Sequence, residues 1–377
     1  MLTKREYILI FSVIAVMLVY FVVATQIMTD DGFQYEGFTE SLAHGKLNFK
    51  SFYGFQGLSF FAVPIFWLTR SHNSIIIMSI IFSLLSVPLA YSIGKTLYQS
   101  SRAGIYFLIL FLLTPYPYTT MMRGFQEAAL LFFILLIIYS SLNKKVWTPV
   151  AWAIGGIVKP FALVLFPLFI KNFFPRTVLR KDVWVIIALA IGLSYLGASY
   201  YQTGHLINNA AINSYQGDFD TGNPPPLVKS FTIGIKGPLR IGANLFLAYR
   251  KIMVSPFLIL IGLWMLWKDK NFKYRNAFIY SIALNFLLLS LMTFSFSKYL
   301  LPATTLISFA AVPFIMKYKW AMLVFLIDSV TVFLPIWNFF GHAYWSNIYV
   351  YFVPFYLGII LFVYDKLFAK HNFNTNS

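Results

Sequence analysis

From Tyr7 to Met28 the chain runs through 22 residues without a charged side chain. As a helix that run measures about 33 Å, enough to cross a hydrocarbon core of roughly 30 Å. Apolar runs of this kind recur along the whole length with only short polar breaks. In lipid each backbone N–H and C=O has to be satisfied inside its own segment, and a helix does this. With 59% hydrophobic and 11% charged residues, a chain of 377 residues has too much apolar surface for a water-soluble globule. The class is an all-α polytopic membrane protein, read as one integral domain over 1–377 with no soluble appendage large enough to fold alone.

The absence of cysteine excludes disulfides, thiolate metal sites and cysteine nucleophiles. Met1 to Glu6 has the charge of a signal-peptide n-region. The run behind it is too long for an h-region and lacks a small-residue cleavage site, so it reads as a retained first span. The net charge of +17 resides in short basic clusters between apolar runs. That arrangement reports topology and not a nucleic-acid partner.

Taking the basic clusters as cytoplasmic puts inside Lys4-Arg5, Lys95 with Arg102, Lys144-Lys145, Lys171 to Lys181, Lys268 to Arg275, Lys317 with Lys319, and Lys366 to Lys370. Spans are then predicted at 7–28, 75–94, 103–117, 126–142, 182–201, 253–267, 276–296, 300–316, 320–338 and 347–365, in the plasma (inner) membrane with both termini cytoplasmic. A first outer loop covers 29–74 and a long outer loop 202–252. Two segments do not fit as ordinary spans. Phe55 to Thr69, with Gly57, Pro64 and Trp67, would invert every later loop if it crossed, so it is expected to lie along or dip into the outer leaflet. Val146 to Ile170 lies between two basic loops and must cross an even number of times in about 25 residues, too few for two spans. A pair of half-helices is expected, broken near Gly155-Gly156 and Lys159-Pro160.

This topology gathers Asp30, Asp31, Glu36, Glu40, Glu127, Asp218 and Asp220, seven of the twelve acids, on the outer face. An outward chamber lined by acids and a few cations is the expected site.

Asp30-Asp31-Gly-Phe-Gln-Tyr35, followed by Glu40-Ser-Leu-Ala43-His-Gly45, resembles the D-[DE]-x-x-Y…A…G signature in the first outer loop of the GT-C glycosyltransferases, such as protein O-mannosyltransferases and bacterial aminoarabinose transferases. Phe55 to Thr69 is similar to their juxtamembrane helices. Thr114-Pro115-Tyr116 leading to Glu127 resembles their next outer loop, which ends in an acid at the head of a span. Gly155-Gly-Ile-Val-Lys159-Pro160 resembles their K-P break, and Lys298-Tyr299-Leu-Leu-Pro302 their R/K-Y-x-x-P element. The stretch 202–250 carries none of the family's elements. The resemblance implies a GT-C-like bundle of about 11–12 transmembrane helices. It also implies transfer of a sugar from a polyprenyl-phosphate donor to a lipid or glycan acceptor on the outer face. An oligosaccharide polymerase or ligase, and a lipid-linked sugar flippase or transporter, are the alternatives.

Such a transfer needs a cation near the leaving phosphate and a carboxylate to take the acceptor's proton. The resemblance puts the base at Asp30 or Asp31, with Asp30 matching the first acid of the signature. Glu127 either binds magnesium or manganese together with a first-loop acid such as Asp31, or is a helix-start glutamate favoured by the macrodipole. Lys159, in the middle of a membrane segment, is expected to bind the donor phosphate. Lys298 either clamps the same phosphate or anchors at the interface beside Tyr299. Asp218 and Asp220 form a D-x-D in a turn rich in Gly, Asn and Pro, where a structural role competes with metal binding. The loop is long enough for a lid or acceptor surface, and Arg240 within it either attracts lipid phosphate or belongs to a solvated basic face. Asp328 is a second intramembrane charge without an evident partner. No histidine spacing typical of a zinc site, no phosphate-binding P-loop and no G-x-G-x-x-G after a strand is present.

Overall fold

The computed structural model describes residues 3–23, 28, 30–52, 55–112, 124–170, 179–206, 256–290, 300–333, 357–361 and 363. Among the described residues there is no strand. The helices are α1 (Lys4–Val23), α2 (Asp30–Ala43), α3 (Gly57–Thr69), α4 (Ser74–Tyr98), α5 (Ser101–Leu112), α6 (Glu127–Leu142) and α7 (Thr148–Val158). A 3₁₀ helix (Pro160–Leu168) follows, then α8 (Leu179–Thr203), α9 (Pro256–Lys268), α10 (Arg275–Ser290), α11 (Leu301–Lys317) and α12 (Lys319–Phe333). Three segments, Lys4–Val22, Ser74–Tyr98 and Val183–Thr203, are long and apolar enough to cross a membrane unaided. The protein is an all-α membrane protein; its described helices overlap the expected spans as far as 320–338, while most of 347–365 lies outside the described residues.

One end of the bundle is fastened by Glu6. Thr3-Lys4-Arg5-Glu6 forms a capping box at the start of α1: the Thr3 N–H donates to Glu6 Oε2 at 2.6 Å and the Glu6 N–H to Thr3 Oγ1 at 3.3 Å. The same carboxylate accepts from the Tyr91 hydroxyl at 2.5 Å, Ser101 Oγ at 2.6 Å and Lys95 Nζ at 2.8 Å. A buried acid is thereby paired and hydrogen-bonded, and α1, α4 and α5 are tied at the end that carries Lys4, Arg5, Lys95 and Arg102.

At the opposite end α4 begins, and its start is capped from a distance. Asn73, the residue before the helix, makes no side-chain cap. Glu36 of α2 takes over: it accepts from Ser74 Oγ and, at 2.9 Å, from the Ile75 N–H. At 3% exposure Glu36 is sealed in the contact between α2 and α4. Asn285 of α10 does the same for α11, its Oδ1 accepting the Ala303 N–H at 3.1 Å. Helix α11 is buried along nearly its whole length, against α5, α9, α10, α12 and the 3₁₀ helix, and forms the axis of the later half.

The first loop carries two helices, whereas the sequence pattern suggests a helix only over Phe55–Thr69. Helix α2 is too polar to betray itself by hydropathy; it is held by Gly32, Glu36, Phe38 and Thr39, all buried. Helix α3 behaves as expected of a juxtamembrane element. Leu58 and Ala62 face α4, α6 and α7, and Phe66 is buried with its ring against His44, while Phe60, Trp67 and Leu68 are exposed. Thirteen residues of helix span about 20 Å, too short to cross.

The segment from Thr148 to Leu168 reverses on itself. Trp152 of α7 contacts Phe166 and Phe169, with ring centroids 5.7 and 5.8 Å away, and Gly155 and Gly156 meet Ala162 and Leu163. In one continuous helix Trp152 and Phe169 would stand about 25 Å apart. The Trp152 indole donates to the Leu163 carbonyl at 3.1 Å and ties the two arms together. The result is a hairpin with Lys159-Pro160 at its tip, the pair of short helices expected for this segment.

Candidate functional site

The tip of the hairpin is one residue of extended backbone. Lys159 caps α7 and precedes the 3₁₀ helix; its N–H donates to the Gly155 carbonyl at 2.8 Å and its carbonyl accepts from the Ala162 N–H at 3.1 Å. With the backbone pinned on both sides, the side chain reaches across to α6 and pairs with Glu127 Oε1. The side chains are 11% and 1% exposed, so the ion pair is nearly removed from solvent, with the lysine on its more open side. Glu127 is the first residue of α6, where the dipole and the first-turn N–H groups favour a carboxylate.

Other helix starts lie close to this pair. Gly57, at the start of α3, lies directly on the end of α7: a methyl group added there would stand 2.5 Å from the Val158 nitrogen. No side chain fits between these backbones. The Gln126 side-chain amide donates to the Phe55 carbonyl, joining the entry of α6 to the entry of α3. Gly124, two residues earlier, has φ +71 and lies against α2, where an added methyl group would be 3.2 Å from the Gly32 Cα. The position demands glycine on both counts. Asp31 in the first turn of α2 is half-buried next to that contact, and α2 opens with Asp30. The starts of α3, α6 and the 3₁₀ helix lie at the Lys159–Glu127 pair, and the start of α2 lies against Gly124, three residues before Glu127.

The connection from α2 to α3 is held by α8. The Gln56 N–H donates to the Tyr195 hydroxyl at 2.8 Å, Gln202 Oε1 accepts the Phe49 N–H at 2.8 Å, and Gln202 Nε2 donates to the Leu47 carbonyl at 2.6 Å. Phe38, Phe49, Phe52, Phe55 and Tyr195 pack beneath it.

Of the residues singled out from sequence, Glu127 and Lys159 are in contact, and Asp30 and Asp31 stand on the neighbouring helix start. Lys298, Asp218, Asp220 and Arg240 lie outside the described residues, as does the Asp328 side chain. Glu36, Gln56 and Gln126 were not expected to shape the site. Their polar roles run between helices far apart in sequence, and the signal that marks Gln126 is its place immediately before Glu127.

Among the described residues no three of His, Asp and Glu come together to hold a divalent cation. An ammonium already sits on Glu127 Oε1, and a magnesium or manganese ion would have to compete with it for that oxygen. The arrangement is that of a carboxylate paired with a lysine.

No protein-family model matches the sequence, and no curated protein does. Solved structures do. ArnT from Cupriavidus metallidurans in the apo state superposes with a TM-score of 0.56 at 13% identity, covering 86% of this chain and 62% of that one. The chain has the ArnT fold. ArnT bound to undecaprenyl phosphate superposes with a TM-score of 0.58 at 12% identity over 86% of this chain and 64% of that one. This chain thus spans less than two thirds of the length of either ArnT chain. The all-α membrane fold expected from the sequence is the fold shared with these structures.

Proposed function

We propose that this protein transfers a single sugar from a polyprenyl-phosphate carrier to a lipid or glycan acceptor at the outer face of the membrane. The observation that carries the reading is the buried Lys159 at a hairpin tip, beside the starts of α3, α6 and the 3₁₀ helix, in a fold shared with an ArnT structure that holds undecaprenyl phosphate. A lysine at such a place gathers anions: its ammonium and the positive helix ends favour the negative charge that grows on a leaving phosphate. The outer location is supported by the basic clusters. Lys4, Arg5, Lys95 and Arg102 stand at the end of the bundle away from Lys159, and Lys144-Lys145 follow the far end of α6.

The chemistry follows from these parts. An acceptor hydroxyl attacks the anomeric carbon, the bond from that carbon to the phosphate oxygen breaks, and the polyprenyl phosphate departs with the electron pair. The hydroxyl proton passes to a carboxylate at the start of α2, Asp31 or Asp30.

The test is transfer of labelled sugar from a polyprenyl-phosphate donor by the purified protein with extracted membrane acceptors. Lys159→Ala and the double variant Asp30→Asn, Asp31→Asn should each lower turnover at least about a hundredfold with normal protein yield. Wild-type turnover in the double aspartate variant would remove the first loop from the chemistry; wild-type turnover in Lys159→Ala would remove the phosphate assignment.

A further inference from the structure

We infer that Glu127 is the resident counter-ion of Lys159 and that the lipid phosphate binds by taking its place on the ammonium. The inference rests on the phosphate reading above and adds a role for the carboxylate: an internal competitor that keeps donor and product binding weak enough for release.

Three observations lead to it. The lysine's charge is already met, because Glu127 Oε1 holds its ammonium in a contact almost closed to solvent. A phosphate therefore does not meet an idle cation; it meets a neutral pair. The two partners are also unequally placed. Glu127 is at 1% exposure and Lys159 at 11%, so an incoming anion reaches Nζ and not the carboxylate. Finally, the carboxylate has somewhere to remain when the lysine turns away. As the first residue of α6 it sits at the positive end of a helix, which stabilises its charge without the lysine. Lys159 caps the C-terminal end of α7, whose carbonyls favour a cation, so the ammonium is not expelled when the pair opens. Exchange thus leaves Glu127 at a helix start and passes the ammonium from a carboxylate to a phosphate.

The exchange fixes the sign of a mutational effect. If Glu127 were a metal ligand or a direct substrate contact, neutralising it would weaken binding of the lipid. As a competitor it does the reverse. In Glu127→Gln the ammonium is left buried without its counter-charge, the free protein is destabilised, and a phosphate headgroup relieves the imbalance.

The experiment measures thermal unfolding and equilibrium binding of the purified full chain in detergent, with undecaprenyl phosphate as the probe and undecaprenol as the headgroup-free control. Glu127→Gln should unfold below wild type in the absence of lipid. It should show a larger stabilisation by undecaprenyl phosphate and bind it about tenfold more tightly. In turnover it should show a lower KM and a lower kcat, because the product phosphate is retained. The pair variant Lys159→Gln with Glu127→Gln should lose the response to the phosphate and keep only that to undecaprenol. Glu127→Asp, which withdraws the carboxylate by one methylene, should shift binding in the same direction by a smaller factor and decides the matter if Glu127→Gln does not fold. Weaker or unchanged phosphate binding in both Glu127 variants, while Lys159→Gln loses binding, overturns the counter-ion role and leaves the phosphate reading intact. Unchanged binding in Lys159→Gln overturns both.

Discussion

Replacing Glu36 by alanine tests whether the start of α2 is set by its dock on α4. The carboxylate accepts two hydrogen bonds, from the Ser74 hydroxyl and the Ile75 amide, and both donors belong to residues with no exposed surface. Alanine removes the acceptor and strands both donors, each at roughly 1–3 kcal/mol, so the loss should be about 3–4 kcal/mol. That exceeds the ~1 kcal/mol typical of a missing local cap, because the bonds here also join two helices. Glutamine is the informative comparison. Its carbonyl oxygen keeps the Ile75 amide and the Ser74 hydroxyl rotates to accept from its amide, so only the charge assistance goes, about 1 kcal/mol. Thermal and denaturant unfolding in detergent reads the stability. Sugar transfer reads the geometry, since α2 also carries Asp30 and Asp31: kcat should fall in Glu36→Ala while binding of undecaprenyl phosphate, which depends on Lys159, changes little. A stability within about 0.5 kcal/mol of wild type for Glu36→Ala, or equal damage from glutamine and alanine, would refute the capping argument.

Gly57→Ala should separate α3 from the hairpin tip, because its methyl group meets the Val158 backbone at 2.5 Å and neither backbone can yield; a loss of about 2–3 kcal/mol and reduced transfer are expected, and an unaffected variant would show that the contact opens freely. Glu6→Ala should destabilise the opposite end by about 2–3 kcal/mol, with Lys95→Ala costing less because that lysine is partly exposed; equal effects in unfolding would mean that Tyr91 and Ser101 add nothing to the network. The chain has no cysteine, so single-cysteine variants report topology cleanly. Lys46→Cys should react with an impermeant thiol reagent added to intact cells and Lys145→Cys should not; the reverse pattern would invert the proposed orientation.

The spans were legible because hydropathy is a local property and lipid imposes it on every turn. The hairpin was legible for a different reason: two basic loops flank Val146 to Ile170, and Gly155-Gly156 with Lys159-Pro160 mark where the chain can turn. Lys159 and Glu127 each stood out alone, the first as a charge in an apolar segment and the second at a helix start. Their pairing did not, because it joins residues 32 apart across a loop and a reversal. Glu36 and Asn285 escaped notice for the same physical reason. Capping is read from the residue just before a helix, and here Asn73 and Leu300 leave that task to other helices. Helix α2 was hidden because its stability comes from packing against α3 and α4 and not from an apolar stripe.

The acids at this end of the bundle have a structural explanation that must be separated from a chemical one. Asp30 and Asp31 open α2, Glu127 opens α6 and Glu36 crowns α4. Carboxylates are stabilised at helix starts wherever those starts gather. Acid richness near Lys159 is therefore what the fold requires and does not by itself identify a base. Lys159 is the opposite case. A nearly buried ammonium is disfavoured by its desolvation, and here that cost is offset by Glu127 and by the C-terminal end of α7, which Lys159 caps. A leucine at the hairpin tip would leave the Glu127 carboxylate buried without its counter-charge. Helix starts account for the carboxylates and Glu127 for holding the cation, so a phosphate-bearing substrate at Lys159 is decided by binding of undecaprenyl phosphate to Lys159→Gln, which should be lost.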